Sequence, residues 1–317
     1  MSAKTFYKHV HQPSYDAVLK MFGDVNLSFP KLWKSQVQTN NLNKKIPPSV
    51  EGFDVHFHTL LMLFDICRMW FESAAIATFQ ATYRENSVNK SEKVEQFQVA
   101  SMMLFRIAAD LKSIRILVLS NLDVQARGVS RGLSEAIDVL SYSFLDAEFC
   151  DQMIAENDVK PARHFWHRNM SKGKIRKKLK QFCIKSAPPI VPLFGIIKED
   201  EELFGLSVHA SYLSGFICMF PNAGMEHESA NTAGVSVNSI KTLNFAIQRM
   251  LMTIIVAEKS QNFGMLITDN FDLENADEYK SILTSGMEIY PRILLLNHAA
   301  YENYSELLHE LESVRDT

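Results

Sequence analysis

Glycine and proline are scarce in this chain: 12 and 10 of 317 residues, together about 7% against a usual share of about 12%. That shortage excludes collagen-like and low-complexity chains and argues against turn-rich β-sandwiches. Cysteine is scarce as well. Cys67, Cys150, Cys183 and Cys218 stand far apart, with neither C-x-x-C nor metal-type spacing, so the expected setting is reduced and cytosolic, without a disulfide framework. No uncharged apolar run approaches the roughly 20 residues that span a bilayer. The nearest, residues 212–220, is too short, and the opening MSAKTFYKHVHQPSYD lacks the apolar centre of a secretory signal, so no membrane partner is expected. The phosphate-loop patterns G-x-G-x-x-G and G-x-x-x-x-G-K-S/T are missing, as is the zinc-protease pattern H-E-x-x-H. Nucleotide-driven chemistry, a serine-hydrolase elbow, a metal site and a bound cofactor are therefore not expected.

One absence is local. No acidic residue occurs from 159 to 198, while residues 160–185 hold Lys160, Arg163, Arg168, Lys172, Lys174, Arg176, Lys177, Lys178, Lys180 and Lys185. The chain's net charge is −3, so these ten cations are set against −13 in the remainder. Such asymmetry points to an anionic partner or to an acidic surface of the same protein.

What is present is helical. Apolar residues make up 47% and charged residues 22%, the balance of a folded soluble protein. Over 53–83 there is no proline, and Leu60, Phe64, Cys67, Phe71 and Ala74 recur at steps of four and three, which predicts one long helix. Further helices are predicted from about 91 to 119, 121 to 146, 174 to 185 and 238 to 259, with Pro30 suited to open a short one. Glu199–Glu202 reads as the acidic first turn of another, after a proline-rich hinge at 186–196. The fold class is all-α: a long antiparallel bundle with a second portion of shorter helices. Three portions are expected: an arm at 1–50, the bundle at 51–185 and a C-terminal part at 186–317, the last two open to being one continuous domain.

Four constellations could carry function. The predicted helix 174–185 puts Ile175, Leu179, Phe182 and Cys183 on one stripe and cations around the rest. Lys172, Lys174, Arg176, Lys177, Lys178 and Lys180 are the candidate phosphate contacts, the alternative being a solvated face balanced by Glu199–Glu202. On the helix 121–146, Arg127, Arg131, Glu135, Asp138 and Tyr142 share a charged face, with Gly128 and Gly132 at its edge suggesting close approach of another backbone. Arg131 and Glu135 form either an interhelical ion pair or a polar site with Ser207 and His209. The H-x-H pairs His9/His11 and His56/His58 each diverge if helical, and read as packed or surface histidines. Finally, Arg292 and His298 (RILLLNH) resemble the motif of the HEPN ribonucleases. That resemblance implies a metal-independent enzyme with His298 as acid and base and Arg292 stabilising phosphorane charge.

The residues RGLSE (Arg131–Glu135) and the later SVH (Ser207–His209) resemble a bacterial family of all-helical proteins of unknown function, over about residues 100–260. The resemblance implies a helical cytoplasmic protein, and related helical families suggest phage-defence or toxin-like settings by analogy. The expected function is an interaction or regulatory component that contacts RNA or DNA through 160–185. The alternatives are the ribonuclease and a structural subunit that binds a protein partner or a second copy of itself.

Overall fold

The computed structural model describes residues 1–38, 46, 54–83, 94–156, 158–208, 237–260, 282–283, 288–290 and 292–300. All of the secondary structure described is helical, so the all-α expectation holds. In chain order the helices are α1 (Ala3–Phe6), α2 (Gln12–Asp24), α3 (Phe29–Trp33), α4 (Asp54–Tyr83), α5 (Val94–Leu119), α6 (Asp123–Ser143), α7 (Ala147–Ala155), α8 (Val159–Phe165), α9 (Lys174–Ser186), α10 (Leu193–Val208) and α11 (Val237–Lys259). The sequence also predicts a linker at 40–48, short β pairs around 263–270 and a last helix near 304–314; these fall outside the described residues, apart from the isolated Ile46.

Four long helices form the core. The α4 stripe read from the sequence is fully buried, and so are Leu61, Met62, Leu63 and Ile66 on its other sides. A helix apolar all round must be covered all round. Here α5 and α11 cover two sides, and the arm covers a third through Tyr7 and Trp33. Asp65 faces Arg115, and Phe79 meets Phe105, so α4 and α5 run antiparallel. A turn at Asn121 (φ 56°) reverses the chain, and the Gln96 side-chain amide donates to the Ser143 carbonyl at 2.9 Å, so α5 and α6 are antiparallel too. Asparagine tolerates this left-handed geometry.

The fourth helix departs from the expected alternation. Ser239 donates to Asp123 at 2.6 Å, Arg249 to Asp138 at 2.5 Å and Ser141 to Thr253 at 3.2 Å. Both numbers rise together, so α11 runs parallel to α6. The described part of the connection comprises α7–α9 and α10, which runs back along α6 with Glu201 beside Ser134 and Phe204 beside Arg127. A window of α11 is long and apolar enough to cross a membrane, yet 94% of it is buried inside the bundle.

Two buried ion clusters tie these helices together. In the first, Arg115 binds Asp65 through Nε at 2.8 Å and Nη2 at 3.0 Å, Arg68 adds a bond of 3.2 Å, and the Tyr7 hydroxyl donates to Asp65 at 2.6 Å. Burial opposes ionisation of Asp65, but Arg115 and Arg68 outweigh it and hold the carboxyl below its ordinary range. The second cluster lies beneath the basic segment.

Candidate nucleic-acid interface

The basic segment folds as α8, a π-turn at Trp166–Met170, a 3-10 turn at Ser171–Gly173, and α9. Gly173 takes φ 68°, the left-handed conformation that lets the chain swing into α9. Ile175, Leu179 and Cys183 are buried in one apolar cluster with Val139 and Tyr142 of α6, as the stripe predicts. Lys174, Lys177, Lys178, Lys180 and Lys185 are exposed and sweep about 160° of the helix surface. Lys160 and Arg163 on α8 are exposed as well. None of these seven is ion-paired among the described residues. Two make polar contacts that keep their charge available: Lys178 Nζ lies 2.7 Å from the Tyr142 hydroxyl, and Lys174 Nζ caps the Arg168 carbonyl at 2.7 Å.

Arg176 behaves differently from the role expected for it. It turns inward, where its Nε and Nη2 bind Asp138 at 3.1 and 2.6 Å and its Nη2 also reaches Glu201 at 2.8 Å. Arg249, fully buried on α11, binds the other oxygen of Asp138 and donates to the Ser134 carbonyl at 2.7 Å. Glu201 also accepts from Ser134 Oγ. Four helices thus meet on two carboxylates and two guanidiniums. Burial alone would lower the Arg176 pKa, but Asp138 and Glu201 raise it instead. Arg168 is likewise paired, with Glu156. The acidic run therefore neutralises part of the basic segment, through Glu201, and leaves most of it uncovered. Of Lys172 only the backbone is described.

Arg131 and Glu135 form an exposed pair at 3.8 Å and line a cleft of about 220 Å³ with Asp138, Arg176 and Glu201. A larger cleft of about 410 Å³ adjoins it and shares Glu135, Val139, Trp166 and Met170. Its walls are rich in methionine (Met102, Met103, Met153, Met170), and Arg106 and Glu156 also line it. The sequence reading missed this cleft, because its wall is assembled from α5, α6, α7 and α8. His209 lies outside the described residues, as does the side chain of Ser207, so only half of the proposed polar site is placed.

The glycine expectation fails. A Cβ on Gly128 would meet nothing within 4 Å, and one on Gly132 would meet only the Arg106 guanidinium at 3.8 Å. The tight place is Gly205 on α10, where a Cβ would come within 3.0 Å of Arg131 Nη1. Residues 128–132 (GVSRG) do carry the spacing of a hydrolase elbow, a match the expectation of none passed over. They lie inside α6, with Ser130 fully buried and its hydroxyl donated to the Ala126 carbonyl. An elbow needs a strand-to-helix turn that exposes the nucleophile, so this serine is structural.

Arg292 and His298 are both exposed on the helical segment 292–300. Arg292 pairs with Asp24 at 3.1 Å, and the intervening Asn297 is buried against Asn244 at 2.8 Å. No described contact joins Arg292 to His298. His56 and His58 diverge along α4 as expected, and each meets a histidine of the arm. His58 packs on His9 with ring centroids 5.1 Å apart, and His56 lines a pocket with His11. Cys67, Cys150 and Cys183 are free and buried, and burial pushes the Cys150 thiol up to about 12 and Cys183 to about 11. Cys218 lies outside the described residues. No family model, curated protein or solved structure matches the chain.

Proposed function

We propose that this chain is a helical interaction or regulatory component of the bacterial cytoplasm that holds a nucleic-acid backbone on the α8–α9 face. The observation that carries the reading is the set of seven exposed cations without carboxylate partners among the described residues, on a face where Arg176 turns inward to Asp138 and Glu201 and Arg168 is paired with Glu156. A cation sheet wrapped on one helix suits phosphates spaced along a chain. Trp166, 40% exposed on the turn between α8 and α9, offers a ring on which an unpaired base stacks. This favours single strands. An anionic membrane is a poorer fit, since Ile175, Leu179 and Cys183 are committed to the core and unavailable to lipid. The phage-defence or toxin-like setting enters this proposal by analogy alone.

The test is fluorescence anisotropy of the full chain with labelled single-stranded and duplex oligonucleotides across a salt series. Replacing Lys174, Lys177, Lys180 and Lys185 by Glu should cut affinity at least about 100-fold and flatten the log–log salt slope by about three. Trp166→Ala should weaken single-strand binding by roughly 10-fold and leave duplex binding unchanged. Equal low-salt binding by the wild type and the four-lysine variant removes the proposal.

A second reading, a self-associating subunit, is favoured by one feature. Phe79 and Phe105, each 46% exposed, stack edge-to-face beside Met102, which is 47% exposed. A dimer in sedimentation velocity that Phe105→Glu dissolves would support it. A monomeric wild type at micromolar concentration would remove it.

A further inference from the structure

We propose that His9, Asp54 and His58 bind a divalent first-row transition metal of the zinc class, clamping the N-terminal arm onto the start of α4. Asp54 opens α4 and His58 follows one turn later, so both side chains lie on one face of the helix. His9 comes from the turn after α1. One ligand-type atom from each of the three residues lies within 4.8 Å of the other two.

Two further observations point to a ligand. His58 is 1% exposed, and its Nδ1 has no hydrogen-bond partner. A buried imidazole nitrogen left without water or a protein donor is disfavoured, and a metal ion would satisfy one ring nitrogen while fixing the other. The His9 and His58 rings also approach edge-to-face at 5.1 Å, within a small rotation of a shared centre. Two imidazoles and a carboxylate suit zinc, cobalt or a similar ion, whereas magnesium and calcium take oxygen donors throughout. Nitrogen ligands about 2.0 Å from a tetrahedral ion sit about 3.3 Å from each other. Closing from 4.8 Å needs a shift of about 1.5 Å, which the exposed His9 can make by turning its side chain. Three protein ligands leave a fourth position for water.

The arm already has anchors near this point. His11 donates its backbone N–H to Thr59 at 3.0 Å, and Tyr7 reaches Asp65 nearly two turns further along α4. A metal at His9 would add a third anchor, between these two along the arm's sequence.

The experiment is isothermal titration of the untagged full chain, stripped with chelator, with zinc(II), repeated with cobalt(II) and read by visible absorption. The expected result is one equivalent bound, with cobalt bands of tetrahedral intensity, and protection of the arm from limited proteolysis on metal addition. His9→Gln, an exposed change that leaves the core intact, should weaken binding at least about 10-fold. His58→Gln should abolish it, and the paired control His11→Gln/His56→Gln should not change it. Binding that is absent, or that survives His9→Gln at full strength, or that is lost only in the control, overturns the proposal. Should His58→Gln fail to fold, the His9→Gln result decides alone.

Discussion

A residue's chemistry here depends on which way it faces, and Arg176 and Lys177 make the contrast. They are neighbours in one basic run, yet Arg176 is held by two carboxylates and Lys177 stands in solvent. Asp200 illustrates the opposite imbalance. Burial raises its pKa, Glu199 and Glu201 add to this, and Lys241 and Arg127 fail to offset them, so the carboxyl is pushed up to about 6. A carboxyl whose folded pKa exceeds its unfolded value favours the folded state when protonated. Its contribution is complete below about pH 4 and is lost as pH rises through about 6. Asp200→Asn should therefore raise the melting temperature by about 2 °C or more at pH 7.5 and leave it unchanged at pH 4, read by differential scanning calorimetry. A variant that melts lower at pH 7.5 would show that the attraction to Arg127 and Lys241 dominates.

At the scale of the element, ion pairs on one helix differ in what they are worth. Asp138 is nearly buried and serves Arg249, which is wholly buried, and Arg176. Asp138→Ala should cost about 3–5 kcal/mol, because it leaves two desolvated guanidiniums short of a partner. Arg131→Ala, two turns away in a pair exposed by 42% and 51%, should cost under about 1 kcal/mol. Urea unfolding of both variants checks the contrast, and equal losses would refute it. The helices themselves were largely legible in the sequence: the stripes read for α4 and α9 are buried, apart from the half-buried Phe182. Two boundaries were not. The helix expected through 146 stops at Ser143, because Asp146 caps α7 by accepting the Phe149 N–H at 3.0 Å. The acidic run at 199–202 was read as a first turn, but α10 starts at Leu193, directly after Pro192. Those acids sit mid-helix, where Glu201 pairs with Arg176 and Glu202 with Lys198, and the helix dipole has no part. Of the candidate interface, the cation-rich face was readable from helical spacing. The inward turn of Arg176 was not, since Asp138 is 38 residues away and Glu201 is 25.

At the scale of the whole molecule, the arm is part of the core. Tyr7, Phe29 and Trp33 are fully buried, and the Trp33 indole donates to the Tyr7 hydroxyl that in turn donates to Asp65. Removing residues 1–38 would uncover α4 and take a hydrogen bond from the Asp65 cluster. The shortened chain should bind a hydrophobic dye and aggregate on size-exclusion chromatography, whereas an independent arm would leave a well-behaved bundle. The division into arm, bundle and C-terminal portion is in this sense one of sequence. Arm residues join the same apolar cluster as α4, α5, α6 and α11.

The parallel course of α6 and α11 also bears on how the protein is made. Residues 144–236 must leave the ribosome after α6 before the helix that closes the bundle can follow. Throughout that interval the nascent three-helix body carries an open seam, with Asp138 awaiting Arg249 and the apolar faces of α4 and α6 uncovered. Synthesis therefore passes through a stage that suits capture by a holding chaperone, and a chain stalled at 236 would be a substrate for degradation.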